Sequence, residues 1–446
     1  MSGSSLRELG EDLYAEGQYE QGLRAFAETV RRIPADHRSR MYAARCLIKL
    51  GERERAVLVL HACAEGLLGR DFLLSAMAAC KLALDQSPTE RMVLDTLARI
   101  HARAVRAVSG RAHVPPPPPP EPLSEGGVDE ELLALRGDQL LDRALEVLSA
   151  PDDGGKADPN ARPPLPLFAE LEREAFVGLV SRLVYRDLEP DAPIAKEGEG
   201  GEAMYVIVAG AAEVSRQIDG EGHPLGFLRG GSIFGELSLL TGTPSTASVT
   251  AVAQSEVFEI RREHLNEVAK THPSISRAFT EFAQGRMTRN LIATAPLFQP
   301  VPEADRPALL QRFRFRALAP GEKVLVEGEK SPGLFLVLSG ELMVQKEDPA
   351  GGSISLGVLR EGEVAGEISL LTGLRATATV VATRKTAAAV LERSSFAELT
   401  RDFPKARQYL DGLSDRRLAQ IKEAMRPAEI IDADELVVEP ESGARR

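Results

Sequence analysis

The second half of this 446-residue chain contains the same segment twice, about 130 residues apart. Four short motifs return in the same order, and the paired motifs are Pro166-Leu167-Phe168 with Pro296-Leu297-Phe298, Glu197-Gly198-Glu199 with Glu327-Gly328-Glu329, residues 205–210 with 335–340, and residues 235–242 with 366–373. Each copy is far longer than the roughly 20 to 50 residues of a solenoid unit and is large enough to bury its own core. The sequence therefore predicts two related domains in tandem, 165–295 and 296–430.

The overall composition indicates a soluble protein of several domains. Apolar residues make up 43% of the chain and charged residues 27%, which is ordinary for globular proteins. No apolar run approaches the roughly 18 residues of a membrane span, and the N-terminus lacks the basic start and apolar stretch of a signal peptide. We expect a cytoplasmic protein that does not associate with membranes. The net charge of -12 argues against a nucleic-acid partner, because phosphate binding needs a concentrated basic surface. The abundance of Ala, Arg, Gly, Leu and Pro is typical of a GC-rich bacterial genome.

Residues 1–111 carry apolar residues at helical spacing, with Gly, Pro and Asp marking the turns. Some of them fall at the positions of the tetratricopeptide repeat, whose period is about 34 residues. These residues are Leu9-Gly10, Gly17-Gln18-Tyr19, Gly22, Phe26 and Pro34, with Gly51 and Ala56 in the next unit and a third, degraded unit at 71–104. The region resembles tetratricopeptide repeats, and that resemblance implies helical hairpins that bind an unidentified protein partner.

A proline-rich linker, 112–164, separates the hairpins from the repeated domains. Its proline run, 115–120, predicts a stiff polyproline II spacer, and the pattern at 129–148 predicts one amphipathic helix. An acidic tail is expected at 431–446. The three cysteines, Cys46, Cys63 and Cys80, lack metal-ligand spacing and are interpreted as small core residues.

The pattern in each copy of the repeat predicts a β-rich core between helices. A short opening helix is predicted at 170–183 and at 303–313, and interior strands are predicted at 204–208 and 334–338. Closing helices are predicted at 263–281 and 394–424. The predicted fold class is therefore multidomain α+β, with N-terminal α-helical tetratricopeptide-like hairpins followed by two eight-stranded β jelly-roll barrels with flanking helices.

The most specific motif is Phe234-Gly235-Glu236-Leu237-Ser238-Leu239-Leu240, which is followed by the stretch 241–249. It is similar to the phosphate-binding cassette of cyclic nucleotide-binding domains, as in protein kinase A regulatory subunits and CRP-like bacterial sensors. The resemblance covers about residues 165–425 and implies cyclic AMP or cyclic GMP as the candidate ligand.

The resemblance also implies a role for each cassette residue. Glu236 and Glu367 would accept a hydrogen bond from the ribose 2'-hydroxyl, the glycine before each would permit close backbone approach, and the following short helix would point N–H groups at the phosphate. Small Ser238 and Ser369 would leave room for the ligand. The candidate residues are Gly235, Glu236, Leu237, Ser238, Ser245 and Thr246 in the first copy, and Gly366, Glu367, Ile368, Ser369, Arg375, Ala376 and Thr377 in the second.

Both copies depart from the family pattern at the arginine that neutralises the phosphate. The family has it four residues before the closing valine, where this chain has Ser245 and Ala376, while Arg375 lies one residue early. A charge-assisted hydrogen bond contributes about 1.5 to 3 kcal/mol, so its loss weakens binding by about 10-fold to 150-fold. Thr246 and Thr377 follow this position, where a hydroxyl in related domains can favour guanine.

Two interpretations of the cassettes remain open at this point. In one, backbone N–H groups, Ser245 and Arg375 suffice for a weaker or different anionic ligand. In the other, the cassette is scaffold, and Glu236 caps a helix start.

No enzyme motif competes with the binding interpretation. The seven histidines are scattered, and the chain has no H-E-x-x-H, G-x-S-x-G or P-loop pattern. We expect a non-enzymatic regulator in which ligand occupancy moves the helices near 263–289 and 407–425 and so changes how a partner is presented. The alternative is a ligand-independent scaffold with degenerate cyclic nucleotide-binding domains.

Overall fold

A computed structural model describes residues 5–107, 127–151, 166–218, 221–348 and 351–425. The chain divides into two compact units, Met1–Met287 and Thr288–Arg446. The predicted polyproline run, the last part of the predicted linker (152–164) and the acidic tail lie outside the described residues. None of the described helices is both long enough and apolar enough to cross a membrane.

The first unit begins with six helices that pack each against the next as helical hairpins, as predicted. Helices α1 to α6 are Leu6–Ala15, Tyr19–Arg32, His37–Lys49, Arg53–Gly69, Leu73–Gln86 and Arg91–Ala107. Phe26 is fully buried, and a Cβ atom on Gly10 would lie 2.6 Å from its ring. Close approach of α1 and α2 therefore requires glycine at position 10. Assignment of these hairpins to the tetratricopeptide family stays a prediction.

All three cysteines are buried in these helices, and none of them forms a disulfide bond. Burial raises the pKa of the Cys46 thiol to about 12 and raises the pKa of Cys80 as well. Because the thiolate is the reactive form, we expect no fast phase of labelling by a thiol reagent at pH 8, and full labelling after denaturation. A thiol that reacts within seconds in the native protein would contradict this placement.

The segment predicted as one helix at 129–148 is two helices, α7 (Glu130–Ala134) and α8 (Gly137–Leu148). The break occurs because Arg136 has extended backbone and Gly137 has a positive φ of 54°. Helix α8 packs against α2 and α4, and the buried Arg40 side chain donates from Nη1 to the carbonyls of Leu148 (2.7 Å) and Ala150 (2.9 Å). This part of the predicted linker is therefore docked on the hairpins.

The first barrel has eight strands in two four-stranded sheets. It opens with helices α9 (Pro166–Ala169) and α10 (Arg173–Val180). Helix α10 is shorter than the helix predicted at 170–183. Strands β1 to β8 are Val184–Leu188, Pro193–Ala195, Ala203–Ala209, Ala211–Ile218, Glu221–Arg229, Ile233–Phe234, Ser248–Ala251 and Ser255–Arg261. The sheet orders are β1-β8-β3-β6 and β2-β7-β4-β5, all antiparallel, as in a jelly roll. Between β6 and β7 lies helix α11 (Glu236–Thr241).

The second unit repeats this arrangement. After helix α14 (Arg306–Leu310), also shorter than predicted, strands β9 to β16 are Arg314–Leu318, Lys323–Leu325, Gly333–Ser339, Leu342–Glu347, Ser353–Leu359, Val364–Ala365, Thr379–Ala382 and Thr386–Glu392. The sheet orders are β14-β11-β16-β9 and β10-β15-β12-β13, and helix α15 (Glu367–Thr372) lies between β14 and β15. Each order matches its counterpart in the first barrel strand for strand. The predicted pair of eight-stranded barrels is confirmed in the described residues.

Each closing helix was predicted as a single helix, but the structure has a pair of helices in its place. The first pair is α12 (Arg262–Thr271) and α13 (Ser274–Thr294), and the second is α16 (Arg393–Asp402) and α17 (Pro404–Ala424). Both breaks fall at a proline, Pro273 and Pro404, because proline disfavours helical backbone in the residue before it. The single helices predicted at 263–281 and 394–424 were therefore wrong at these points.

The hairpins and the first barrel share one buried apolar cluster. A polar cluster adds to their contact: the Arg45 guanidinium pairs with the Asp187 carboxylate, donates to the Tyr185 hydroxyl (2.8 Å) and lies 4.8 Å from the centre of the Tyr42 ring. Burial and the nearby Asp187 charge raise the pKa of Tyr42 to about 12, so its hydroxyl stays protonated and donates to Asp187 (3.1 Å). Helix α5 also packs against β1 and β3. Helices α3 and α5 therefore present part of their surface to the barrel, which leaves less of that surface for a partner.

Candidate functional site

The second cassette begins at Gly366, between β14 and α15. Gly366 has a positive φ of 95°, and a Cβ atom there would lie 2.4 Å from the carbonyl oxygen of Gly333 on β11. Only glycine fits both conditions. In the first barrel, Gly235 has a φ of 81°, and its Cβ would lie 3.0 Å from the Ala203 oxygen. The glycine of each cassette thus lets the backbone approach the neighbouring strand. The fold requires this close approach whether or not a ligand binds.

The second barrel contains a cavity of about 290 Å³ beside this cassette. It is lined by Leu325, Val344, residues 355–359, Glu363, residues 365–369, residues 376–378, Val380, Arg417, Gln420 and Ile421. Six of the seven residues predicted for the second copy lie in this lining, namely Gly366, Glu367, Ile368, Ser369, Ala376 and Thr377. The volume lies just below the range of about 300 to 1,000 Å³ that is typical of small-molecule sites.

The Glu367 carboxylate is tied to the last helix of the unit. Its side chain is 2% exposed, and its Oε1 accepts from Arg417 Nη1 at 2.7 Å. The same Nη1 donates to the Val364 carbonyl at 2.6 Å. Arg417 lies on α17, which closes one side of the cavity with Gln420 and Ile421. The group expected to accept a ligand hydroxyl therefore also holds a helix in place.

The first barrel has the same pairing. Glu236 is 6% exposed, and its Oε1 accepts from Arg286 Nε at 3.0 Å, Arg286 being on α13. The residue that precedes α11 is Gly235, and no side chain caps that helix. Glu236 thus pairs with an arginine from a helix 50 residues along the chain and does not cap the helix start.

Sequence reasoning missed both arginines, although the repeat contained a signal for them. Arg286 and Arg417 are 131 residues apart, the same offset that separates Glu236 from Glu367. The shared offset shows that the two positions are equivalent. It does not show that each arginine meets its glutamate, because that depends on how the closing helix packs.

The remaining second-copy residues hold the loop after α15. Ser369 Oγ donates to the Leu374 carbonyl at 2.6 Å, and the Ala376 amide donates to the Glu329 carbonyl at 2.7 Å. Arg375 is exposed, donates from Nη1 to the Gly328 carbonyl at 2.7 Å, and does not belong to the cavity lining. The structure therefore gathers the second-copy candidates at one cavity and leaves Arg375 outside it.

The first-copy residues are distributed differently. Leu237 is half-buried on α11, and Ser238 Oγ donates to the Pro244 carbonyl at 3.3 Å. Ser245 lines a separate open cavity of about 660 Å³ whose lining does not include the α11 residues. Thr246 accepts at its carbonyl oxygen from Arg216 Nε at 2.9 Å. Ser245 and Glu236 are thus not brought to one cavity.

Comparison with known proteins bears on both barrels. The family model for the cyclic nucleotide-binding domain matches residues 185–272 and 315–403. Both barrels are cyclic nucleotide-binding domains. Each match contains a complete cassette and ends before the arginine, Arg286 or Arg417, that pairs with its glutamate. The geometry, and not the family match, connects these arginines to the cassettes.

Curated relatives and a solved structure resemble the tandem cyclic nucleotide-binding domains. A cAMP-dependent protein kinase regulatory subunit of Yarrowia lipolytica is 26% identical over 233 residues, 52% of this chain and 58% of the relative. That of Blastocladiella emersonii is 26% identical over 235 residues, 52% of this chain and 56% of the relative. The regulatory domain of Toxoplasma gondii protein kinase A, solved with cAMP, is 23% identical, with 56% of this chain and 92% of that chain covered and a TM-score of 0.28. This chain thus spans somewhat over half the length of these two curated relatives.

Proposed function

We propose that this chain is a non-enzymatic regulator that binds a cyclic nucleotide, cyclic AMP or cyclic GMP, in its second cyclic nucleotide-binding domain and passes occupancy on to a protein partner. The observation that carries the proposal is the cavity of the second barrel, where the buried Glu367 carboxylate meets Arg417 of the closing helix. A cavity, a hydroxyl acceptor and the closing helix come together at one place.

The cavity offers matching groups to the sugar and the base. A carboxylate has two oxygens and about four acceptor sites, so Glu367 can accept from a ribose hydroxyl while it pairs with Arg417. The apolar side chains of Leu325, Val344, Leu356 and Val358 line the same cavity and suit the flat face of a base. A ribonucleotide is the ligand class that uses both features.

Coupling would follow from the shared carboxylate. A ligand that bonds to Glu367 changes the free energy of the Glu367–Arg417 contact, so its affinity differs between arrangements of α17. The ligand then shifts the population of those arrangements by as much as that difference in affinity. The pair Glu236–Arg286 gives the first barrel the same connection to α13.

The partner is proposed from the relatives' names, which describe regulatory subunits of a cAMP-dependent protein kinase. A protein kinase catalytic subunit is therefore our candidate partner. We propose that the two proteins meet inside the cell, where cyclic nucleotides signal. We propose that the hairpins hold the first barrel through α3 and α5 and contact a partner with their remaining surface. Pull-down with the full chain, with and without cyclic nucleotide, tests whether the partner responds to the ligand.

Isothermal titration of the full chain with cyclic AMP and cyclic GMP tests the binding step. We expect about one site per chain, since in the first copy Ser245 and Glu236 do not meet at one cavity. Folded protein that gives no binding signal with either nucleotide would refute the proposal.

A second candidate function is a ligand-independent scaffold. It is favoured by the loops, where Ser245 and Ala376 take the place of the family's arginine and Arg375 is bonded to the Gly328 carbonyl outside the cavity. If this candidate is right, the parent binds no cyclic nucleotide, and Ala376→Arg creates binding that the parent lacks. Titration of the two proteins side by side separates the candidates.

A further inference from the structure

A basic side chain stands beside the cassette loop in each barrel, on a strand outside the cassette. In the second barrel it is Lys346 on β12, whose Nζ donates to the Thr377 carbonyl at 3.0 Å and pairs with the Glu327 carboxylate. In the first barrel it is Arg216 on β4, whose Nε donates to the Thr246 carbonyl at 2.9 Å. The two cations are equivalent, 130 residues apart, and each bonds to the residue just after the position where the family has its arginine.

Lys346 is not itself in the cavity lining, but it lies on the same face of β12 as Val344, which is. Alternate residues of a strand share a face, so Leu342, Val344 and Lys346 form one row. Leu342 is buried in the barrel core, and Val344 lines the cavity, as Thr377 does. The lysine therefore continues the inward row towards the cassette loop, and its side chain is 19% exposed.

We propose that Lys346 provides the positive charge for the anionic part of the ligand in the second barrel, in place of the missing loop arginine. This inference rests on the proposed function. An ammonium group has three N–H donors, and the Glu327 carboxylate and the Thr377 carbonyl take two of them. The third can be given to a ligand oxygen beside Ala376, the residue that precedes Thr377 and lines the cavity.

The charges around Lys346 limit the charge of the anion that it can bind. Glu327 already balances part of its charge, and the backbone amide of Glu347 also donates to Glu327, at 2.9 Å, which keeps that carboxylate in place. A singly charged phosphodiester can share the ammonium with Glu327, whereas a phosphomonoester of higher charge meets more repulsion from it. The first barrel repeats the frame, since the Gln217 amide donates to Glu197 at 2.7 Å. The same arrangement of a strand cation beside the cassette loop therefore occurs in both barrels.

The test compares a charged ligand with a neutral one on the full chain. Lys346→Met removes the charge and keeps most of the length of the side chain, and Lys346→Arg keeps the charge. Lys323→Met is the matched control at an exposed position of β10. We expect Lys346→Met to weaken cyclic AMP binding by about 10-fold to 150-fold in isothermal titration. Binding of adenosine, which has no phosphate, should stay at the parent's level, and the other two variants should bind cyclic AMP like the parent.

A second variant separates charge from loop structure. Adding Ala376→Arg to Lys346→Met should restore cyclic AMP affinity, because it returns a cation to the family's position. Equal losses for cyclic AMP and adenosine without such rescue would show that Lys346 only supports the loop, and unchanged cyclic AMP affinity in Lys346→Met would show that it plays no part. Either result overturns the inference and leaves the proposed function standing. A parent that binds neither ligand overturns both.

Discussion

Replacing Glu367 by glutamine should weaken cyclic nucleotide binding by about 10-fold to 150-fold, because a charged acceptor for the ribose hydroxyl becomes a neutral one. The same change leaves the Arg417 guanidinium, 18% exposed, without its closest counter-charge. Breaking a buried ion pair by removing one partner costs about 3 kcal/mol or more, so urea denaturation should show a lower free energy of unfolding. Titration and denaturation of the same preparation measure both effects.

The role of the carboxylate is isolated by a ligand without the hydroxyl. The parent should prefer cyclic AMP to its 2'-deoxy analogue, and Glu367→Gln should lose most of that preference. Glu398→Gln makes the same charge change on the exposed surface of α16 and should leave both properties as they are. If Glu367→Gln keeps the parent's preference for the 2'-hydroxyl, Glu367 does not contact the sugar.

Replacing Arg40 by methionine should lower the free energy of unfolding by about 3 kcal/mol. Arg40 is 1% exposed, and its guanidinium donates to the carbonyls of Leu148, Ala150 and Pro34. Methionine preserves much of the side-chain length but donates to none of them. A buried carbonyl that loses its donor costs about 1 to 3 kcal/mol. Of the three hydrogen bonds, the one to Leu148 is buried and the other two are partly buried, so most of the loss comes from Leu148. The end of α8 should loosen first, since two of these carbonyls lie there.

Hydrogen exchange provides the local measurement for this variant. Amides of residues 137–150 should exchange faster in Arg40→Met than in the parent, while those of the second barrel should not change. Arg53→Met removes an exposed arginine from the same set of helices and should have little effect on exchange or stability. Unchanged protection of α8 in Arg40→Met would mean that apolar packing alone holds this helix.

The pairing of each cassette glutamate with an arginine of a closing helix gives the two barrels a common internal contact. In the function that we propose, a ligand at the cassette would act directly on α17 through the Glu367 carboxylate. The pair is nearly buried in the second barrel, where the effect of the ligand on the contact is least screened by solvent. This is the barrel whose cavity also gathers the cassette residues.

Local sequence signals predicted most of the fold. The repeat fixed the number of barrels, and the β-rich pattern between helices predicted eight strands in each, because alternation and glycine turns act over a few residues. Gly366 was found from its motif, and the structure adds that a Cβ there would strike the Gly333 carbonyl. The predicted helix boundaries were wrong where a proline was overlooked, at Pro273 and Pro404. They were also wrong where a helix breaks at Gly137.

The sequence by itself determined the tandem barrels, the helical hairpins and the cassettes, including the absence of the family's arginine at Ser245 and Ala376. Only the tertiary structure decided which charges meet: Glu367 with Arg417, 50 residues away, Asp187 with Arg45, 142 residues away, and Lys346 with the Thr377 carbonyl. Secondary structure follows from short-range periodicity, which can be read along the chain. Contacts between distant side chains depend on how helices and sheets pack, and that packing is fixed by the whole core at once.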